Sequence, residues 1–258
     1  FASTSDIAYV CDPDRSRCES LREAVQAKAA VTDLRRVLDD KSVDAVVIAT
    51  PDHWHALVGI AAARAGKHVY CEKPLPHTIY EARQLTLAAA KQQVATQMGN
   101  NGHAGDWIRV TCEHIWGGTI GKIREVHAWS DRAGTHWAQG IGRPKDTPPV
   151  PKELDWDLWL GPSTERPYSD GVHPFQWRKF WDYGTGSLGD FGCHYMDLTH
   201  WALKLRGPTR VAASGPPVNP VSTPAWCIVN YQSPQRDELP PVALTWYDSG
   251  KRPEFLTS

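Results

Sequence analysis

Four short apolar runs punctuate the first hundred residues, at 7–11, 44–49, 67–71 and 93–98. Each is strand-sized, and its apolar residues are grouped rather than strictly alternating, read as a strand covered on both faces. Between them, residues 16–30, 53–65 and 78–92 repeat apolar positions at helical spacing. Thr78 stands three residues before Glu81, as a capping box requires. Strand alternating with helix predicts a parallel sheet with right-handed crossovers, hence a doubly wound α/β domain.

The rhythm changes after Met98. Gly99-Asn100-Asn101-Gly102 is turn-rich, residues 106–116 predict a helix, and 123–130 alternate as a strand with one exposed face. Residues 134–151, heavy in Gly, Pro and charge, predict an extended surface arm. Residues 189–205 are helical in pattern, and 211–213, 225–231 and 242–247 are strands separated by Pro-rich turns, as in a mostly antiparallel sheet. The domain boundary is placed at 98–102, giving domains 1–98 and 99–258. The first residue is Phe1 and a strand follows at once, so the chain reads as a fragment, with any earlier strand or export signal lying upstream.

Composition narrows the partners. A net charge of -1 with no basic run argues against nucleic acid or an anionic membrane surface, and no apolar stretch is long enough to span a bilayer. Six cysteines without a Cys-x-x-Cys pair suggest neither a zinc ribbon nor a disulfide framework, and read as reduced, buried thiols. A small polar ligand is the expected partner.

The chemistry gathers at strand ends. Asp12 follows the first strand, where an acid can bind an adenosine ribose or simply cap the Asp12-Pro13-Asp14 turn; a carboxylate there favours NAD over NADP, although Arg15 and Arg17 keep NADP open. Thr50-Pro51-Asp52-His53-Trp54-His55 ends the second strand and opens a helix, the edge where open α/β sheets bind ligands. Paired histidines could also suggest a metal, but no matching carboxylate or cysteine spacing supports one. Glu72-Lys73-Pro74 closes the third strand at that same edge, with Pro74 restraining the backbone that carries Lys73. Asp190 and His194, four apart, share a helix face, an arrangement suited to an oriented acid/base but also to a capping Asp and a buried His. The one Gly-x-Gly-x-x-Gly match, residues 184–189, follows no buried strand and is rejected as a pyrophosphate loop. Twelve tryptophans are explained mainly by core packing, with sugar stacking a second use near Trp177 and Arg178.

Ala49-Thr50-Pro51 with His55, then Glu72-Lys73-Pro74, Gln97-Met98-Gly99, Gly121-Lys122-Ile123 and Gly189-Asp190-x-x-x-His194 together resemble the glucose-fructose oxidoreductase / inositol dehydrogenase / rhizopine catabolism (Gfo/Idh/MocA) family, in order and over nearly the whole chain. The resemblance implies an N-terminal Rossmann domain, here without its first strand and glycine loop, and a C-terminal α/β domain with a large, open, mostly antiparallel sheet, also incomplete. It implies NAD as cofactor, with NADP possible, a sugar, cyclitol or related polyol as substrate, and a homo-oligomer, dimer or tetramer. Carried over by position, Lys73 resembles the active-site lysine, His194 the acid/base and Asp190 its partner. Asp12, Thr50, Pro51, His55, Glu72, Lys73 and Gln97 resemble cofactor contacts, and Trp177 and Arg178 line the nicotinamide or sugar side.

The expected activity is therefore hydride transfer between a nicotinamide and a CH–OH carbon. Two alternatives stay open: an NAD-dependent glycosidase or lyase working by transient sugar oxidation, and a non-catalytic nucleotide or sugar sensor.

Overall fold

In a computed structural model of the chain, which describes residues 2–132 and 136–256, the backbone divides into two units, 1–99 with 144–177, and 100–143 with 178–258. The first begins β1 (Tyr9–Cys11), α1 (Arg15–Val25), β2 (Ala29–Val31), α2 (Arg35–Asp39), β3 (Ala45–Ile48) and α3 (Asp52–Arg64), and continues β4 (His68–Glu72), α4 (Ile79–Gln92) and β5 (Thr96–Gly99). Every strand pairing in it is parallel. The pairings form two pieces, β1-β2 and β3-β4-β5.

Local chemistry sets the helix limits. Thr78 accepts from the Glu81 amide at 3.2 Å and Glu81 Oε2 accepts from the Thr78 amide at 2.7 Å, completing the capping box that opens α4. The helix expected over 16–30 ends early, at Val25, because Gln26 turns left-handed (φ 55°) and its amide closes on the Arg22 and Glu23 carbonyls. Ala29–Val31 then pairs with β1 as a strand. Parallel pairing overrides the helical preference of alanine, and neither β2 nor the short α2 is visible in the apolar pattern.

The sheet β3-β4-β5 is covered on one face, where both faces were expected to be covered. α3 and α4 lie on the same side: a β-carbon at Gly59 would touch Leu85 at 3.1 Å and Ile48 at 3.7 Å. Ile48, Val69 and Cys71 are buried there with Val58 and Ala62. On the opposite face Val47, Tyr70 and Gln97 stand in register, with Val47 half-exposed and Gln97 exposed.

Residues 144–177 return to the first unit, although sequence reasoning puts them in the second domain. Their lack of regular structure up to Pro151 matches the expected arm, whose opening residues Gly134 and Thr135 lie outside the described residues. Arg15 donates to the Glu153 carbonyl at 2.8 Å and Asp155 to that of Pro13 at 2.9 Å. Asp155 caps α6 (Trp156–Leu160), and the Trp159 carbonyl accepts from Trp54 Nε1 at 2.9 Å. Trp156 stacks on Trp159 at 4.6 Å, so these indoles serve packing within this unit.

The second unit holds α5 (Asp106–Trp116), β6 (Glu125–Ser130), α7 (Gly186–Tyr195), α8 (Asp197–Ala202), β7 (Arg210–Ser214), β8 (Ile228–Ser233) and β9 (Val242–Asp248). Its sheet runs β6-β9-β8-β7, with β6 and β9 parallel and the other two pairings antiparallel. Ala128, Val229, Leu244 and Trp246 on one face pack with Leu203, and Leu188, Phe191 and Met196 close over them. The single helix expected over 189–205 is two: α7 ends at Tyr195 with Met196 as its cap, and Asp197 supplies the acid that favours a new helix start.

Candidate active site

The carboxyl edge of β3-β4-β5 collects most of the expected cofactor residues. Thr50 and Pro51 follow β3, Glu72 ends β4 and Lys73 follows it, and Gln97 and Gly99 lie in β5. Lys73 is half-buried, and its peptide to Pro74 is cis. The Glu72 carboxylate leans onto Gly99, its register partner, where the missing side chain gives it room.

His55, expected as a cofactor contact, is held by two backbone carbonyls. It is 1% exposed, with Nε2 2.8 Å from the Thr50 carbonyl oxygen and Nδ1 2.7 Å from that of Pro74. One ring thus clamps the loop after β3 to the loop after β4. Burial pushes its pKa below the ordinary value, and the two carbonyls pull the other way. A neutral ring donates to only one of them. His53 is also buried, with Nε2 3.2 Å from the Trp159 carbonyl. The histidine pair therefore braces loops, and among the described residues no group of three or more His, Cys, Asp or Glu is arranged to hold a metal.

Two observations fit an anionic, hydroxyl-rich group at this edge. The Thr50 hydroxyl is buried without a hydrogen-bond partner. α3, thirteen residues long from Asp52, has Pro51 at its N-cap and no side chain capping its amides. Asp12 lies beyond the end of β1 and Oδ1 accepts from the Asp14 amide at 2.8 Å, so it caps its turn; burial raises its pKa. Gln97 is exposed, with Nε2 donating to the Met98 carbonyl at 2.9 Å.

The remaining expected residues belong to the second unit, apart from Trp177, which is 6% exposed and closes the first. Asp190 is 5% exposed, with Arg178 Nε 3.8 Å from its Oδ2. His194, one turn along α7, has Nδ1 2.7 Å from Asn100 Oδ1. Asn100 is a partner of His194 that the sequence does not reveal, because a turn-rich Gly-Asn-Asn-Gly run carries no sign of a partner on a distant helix. Beside α7 lies a shallow, open depression lined by Trp129, Ser130, Asp131, Arg132, His136 and Tyr195. Arg132 stands 5.4 Å over the Phe191 ring, which is 6.2 Å from that of His194.

Glycines 184, 186 and 189 open α7 by tight packing. Added β-carbons would come within 2.6 Å of the Arg178 carbonyl oxygen, 2.6 Å of Thr223 and 2.3 Å of Thr185. This run is a helix start, and it takes no part in the parallel sheet.

Comparison with known proteins resolves the family. The profile described as "Oxidoreductase family, NAD-binding Rossmann fold" matches residues 2–100, and "Oxidoreductase family, C-terminal alpha/beta domain" matches residues 118–235. The chain belongs to the Gfo/Idh/MocA oxidoreductase family. It is 28% identical over 175 residues to levoglucosan dehydrogenase of Pseudarthrobacter phenanthrenivorans, covering 67% of this chain and 36% of that protein. It is 29% identical over 113 residues to myo-inositol 2-dehydrogenase of Thermotoga maritima, covering 44% of this chain and 34% of that one. The matched part thus spans little more than a third of these relatives' length. A solved levoglucosan dehydrogenase in complex with NADH and levoglucosan shares the fold (TM-score 0.67, 20% identity, 95% of this chain and 58% of that one). So does GenD2 in complex with NAD (TM-score 0.66, 22% identity, 96% and 59%).

Proposed function

We propose that the protein is an NAD(P)-dependent dehydrogenase that moves a hydride between the nicotinamide and a CH–OH carbon of a sugar, cyclitol or related polyol. The observation that carries this reading is Lys73 at the carboxyl edge of a parallel sheet, next to a buried, unpaired Thr50 hydroxyl and an uncapped helix start. NAD, when bound, supplies the hydride acceptor.

The protein's residues would do the rest. Thr50, Pro51, Glu72 and Gln97 would hold the cofactor, and Asp12 its ribose. His55 acts one step back, fixing the two loops that carry Thr50 and Pro74. His194 would take the hydroxyl proton, and the Lys73 ammonium would hydrogen-bond the same oxygen and stabilise charge developing on it. Asp190, beside Arg178, would hold the face of α7 from which His194 projects. Trp177 and Arg178 would border the nicotinamide and sugar. Family members named levoglucosan dehydrogenase and myo-inositol 2-dehydrogenase support the substrate class. A homo-oligomer is part of the proposal.

The test is net cofactor reduction by the full-length protein on a panel of sugars, anhydrosugars and cyclitols, followed by NADH absorbance. Accumulating NADH with one product per cofactor is the expected result. Sugar release without net NADH would replace the reading by transient-oxidation hydrolysis, and binding without turnover would replace it by sensing.

A further inference from the structure

Asn100 precedes the 3-10 turn Asn101–Ala104, at the position where an asparagine side chain ordinarily accepts from the turn's own amides. It makes no such cap. The side chain instead crosses to α7, where Oδ1 lies 2.7 Å from His194 Nδ1 and Nδ2 donates to the Cys193 carbonyl at 3.0 Å. Asn100 is 8% exposed, so both ends of the amide are used inside the protein.

The two contacts fix each other. A carbonyl oxygen only accepts, so the amide end facing Cys193 is the NH2 and the end facing the imidazole is the oxygen. That oxygen also only accepts, so Nδ1 of His194 must carry hydrogen, and the lone pair of the neutral ring sits at Nε2. A solvated histidine favours the opposite tautomer, so this one needs an acceptor to hold it.

We propose that Asn100 is a positioning residue that sets the tautomer of His194 and so makes Nε2 its acid/base atom. In the oxidation direction the substrate O–H bond breaks and its proton moves to Nε2, while the C–H bond gives its electron pair and hydrogen to NAD⁺; the alcohol becomes a carbonyl and the Nδ1–H bond to Asn100 is kept throughout. The catalytic part rests on the dehydrogenase reading above. The tautomer does not.

The test is a long-range ¹⁵N–¹H correlation spectrum of histidine-labelled full-length protein at a pH where His194 is neutral, its signals assigned by their loss in His194→Gln. The wild type should show protonated Nδ1 and bare Nε2 at His194. Asn100→Asp, which keeps an acceptor, should preserve this, and Asn100→Leu should reverse it. Where turnover is measurable, Asn100→Leu should lose roughly tenfold or more in kcat with KM nearly unchanged. A wild-type spectrum with hydrogen on Nε2 overturns the proposal even if Asn100→Leu fails to fold, and so does Nδ1–H persisting in Asn100→Leu. The expected spectrum in a protein that reduces no NAD would defeat the dehydrogenase reading and leave the tautomer assignment standing.

Discussion

Glu72 and Gly99 face each other across β4 and β5, and the carboxylate fills the space that a side chain at 99 would take: a β-carbon there would meet Oε1 at 2.7 Å and the Glu72 α-carbon at 3.0 Å. The backbone contact cannot swing away as the carboxylate can. Gly99→Ala should therefore strain the strand pair by about 1–3 kcal/mol and displace Glu72. Thermal unfolding should show the loss, and NADH fluorescence titration a several-fold weaker Kd. Glu72→Ala in the Gly99→Ala background should recover part of the stability; full additivity of the two changes would show that the contact is not the cause.

The clamp made by His55 gives a pH dependence. Burial lowers the His55 pKa from its ordinary 6.5, and burial lowers that of His173 in the same unit. Each group therefore binds its proton more tightly when unfolded, so stability is complete above about pH 6.5 and declines as pH falls below it toward the folded pKa. The slope cannot exceed about 1.4 kcal/mol per pH unit for each group. Urea midpoints measured from pH 8 downward should fall in the wild type and fall less in His55→Gln, a side chain that cannot titrate. An identical decline in both would remove His55 from the account.

Asp12 has one observed contact and one proposed role, and a single substitution separates them. Its Oδ1 accepts from the Asp14 amide, which an asparagine oxygen can also do, whereas only the carboxylate repels a 2'-phosphate. Asp12→Asn should leave the melting temperature close to wild type and shift the NAD to NADP preference toward NADP by roughly tenfold. Kinetics with both cofactors decide it; an unchanged ratio would assign Asp12 to the turn alone.

Gly161 marks the junction of α6 with α3. Its φ is 49°, and a β-carbon would fall 2.0 Å from the Trp54 ring. Gly161→Ala should cost about 3 kcal/mol or more, because both the backbone and the indole must yield. Chemical denaturation gives the number, and a loss under about 1 kcal/mol would show that Trp54 can rotate aside.

Elements whose signals are local were legible in the sequence. The helix predicted over 106–116 is α5, and the Thr78/Glu81 pair opens α4 as expected. Ala29–Val31 was not legible, since three small residues become a strand only by pairing with Tyr9–Cys11. Residues 144–177 were assigned forward along the chain, yet Trp156 and Trp159 pack in the first unit, a choice made by long-range contacts that no periodicity records. The candidate site, a proposal, divides the same way. Lys73 was marked by a strand end and a proline, and His194 by its spacing from Asp190. His55 was visible as a residue at the ligand edge, but its role as a clamp was not, because both its partners are backbone carbonyls, which leave no trace in the residue types around it.

Substitution of Lys73 by Met tests the central claim most directly, because it removes the ammonium at the carboxyl end of β4 while keeping an unbranched side chain of similar length. Steady-state turnover on the best substrate and NADH affinity by fluorescence should be measured on the same preparation. A fall in kcat of roughly 100-fold or more with NADH Kd within about twofold is the predicted result. Turnover that survives the change, or that falls only in step with NADH affinity, would contradict the assignment of Lys73 to the reacting oxygen.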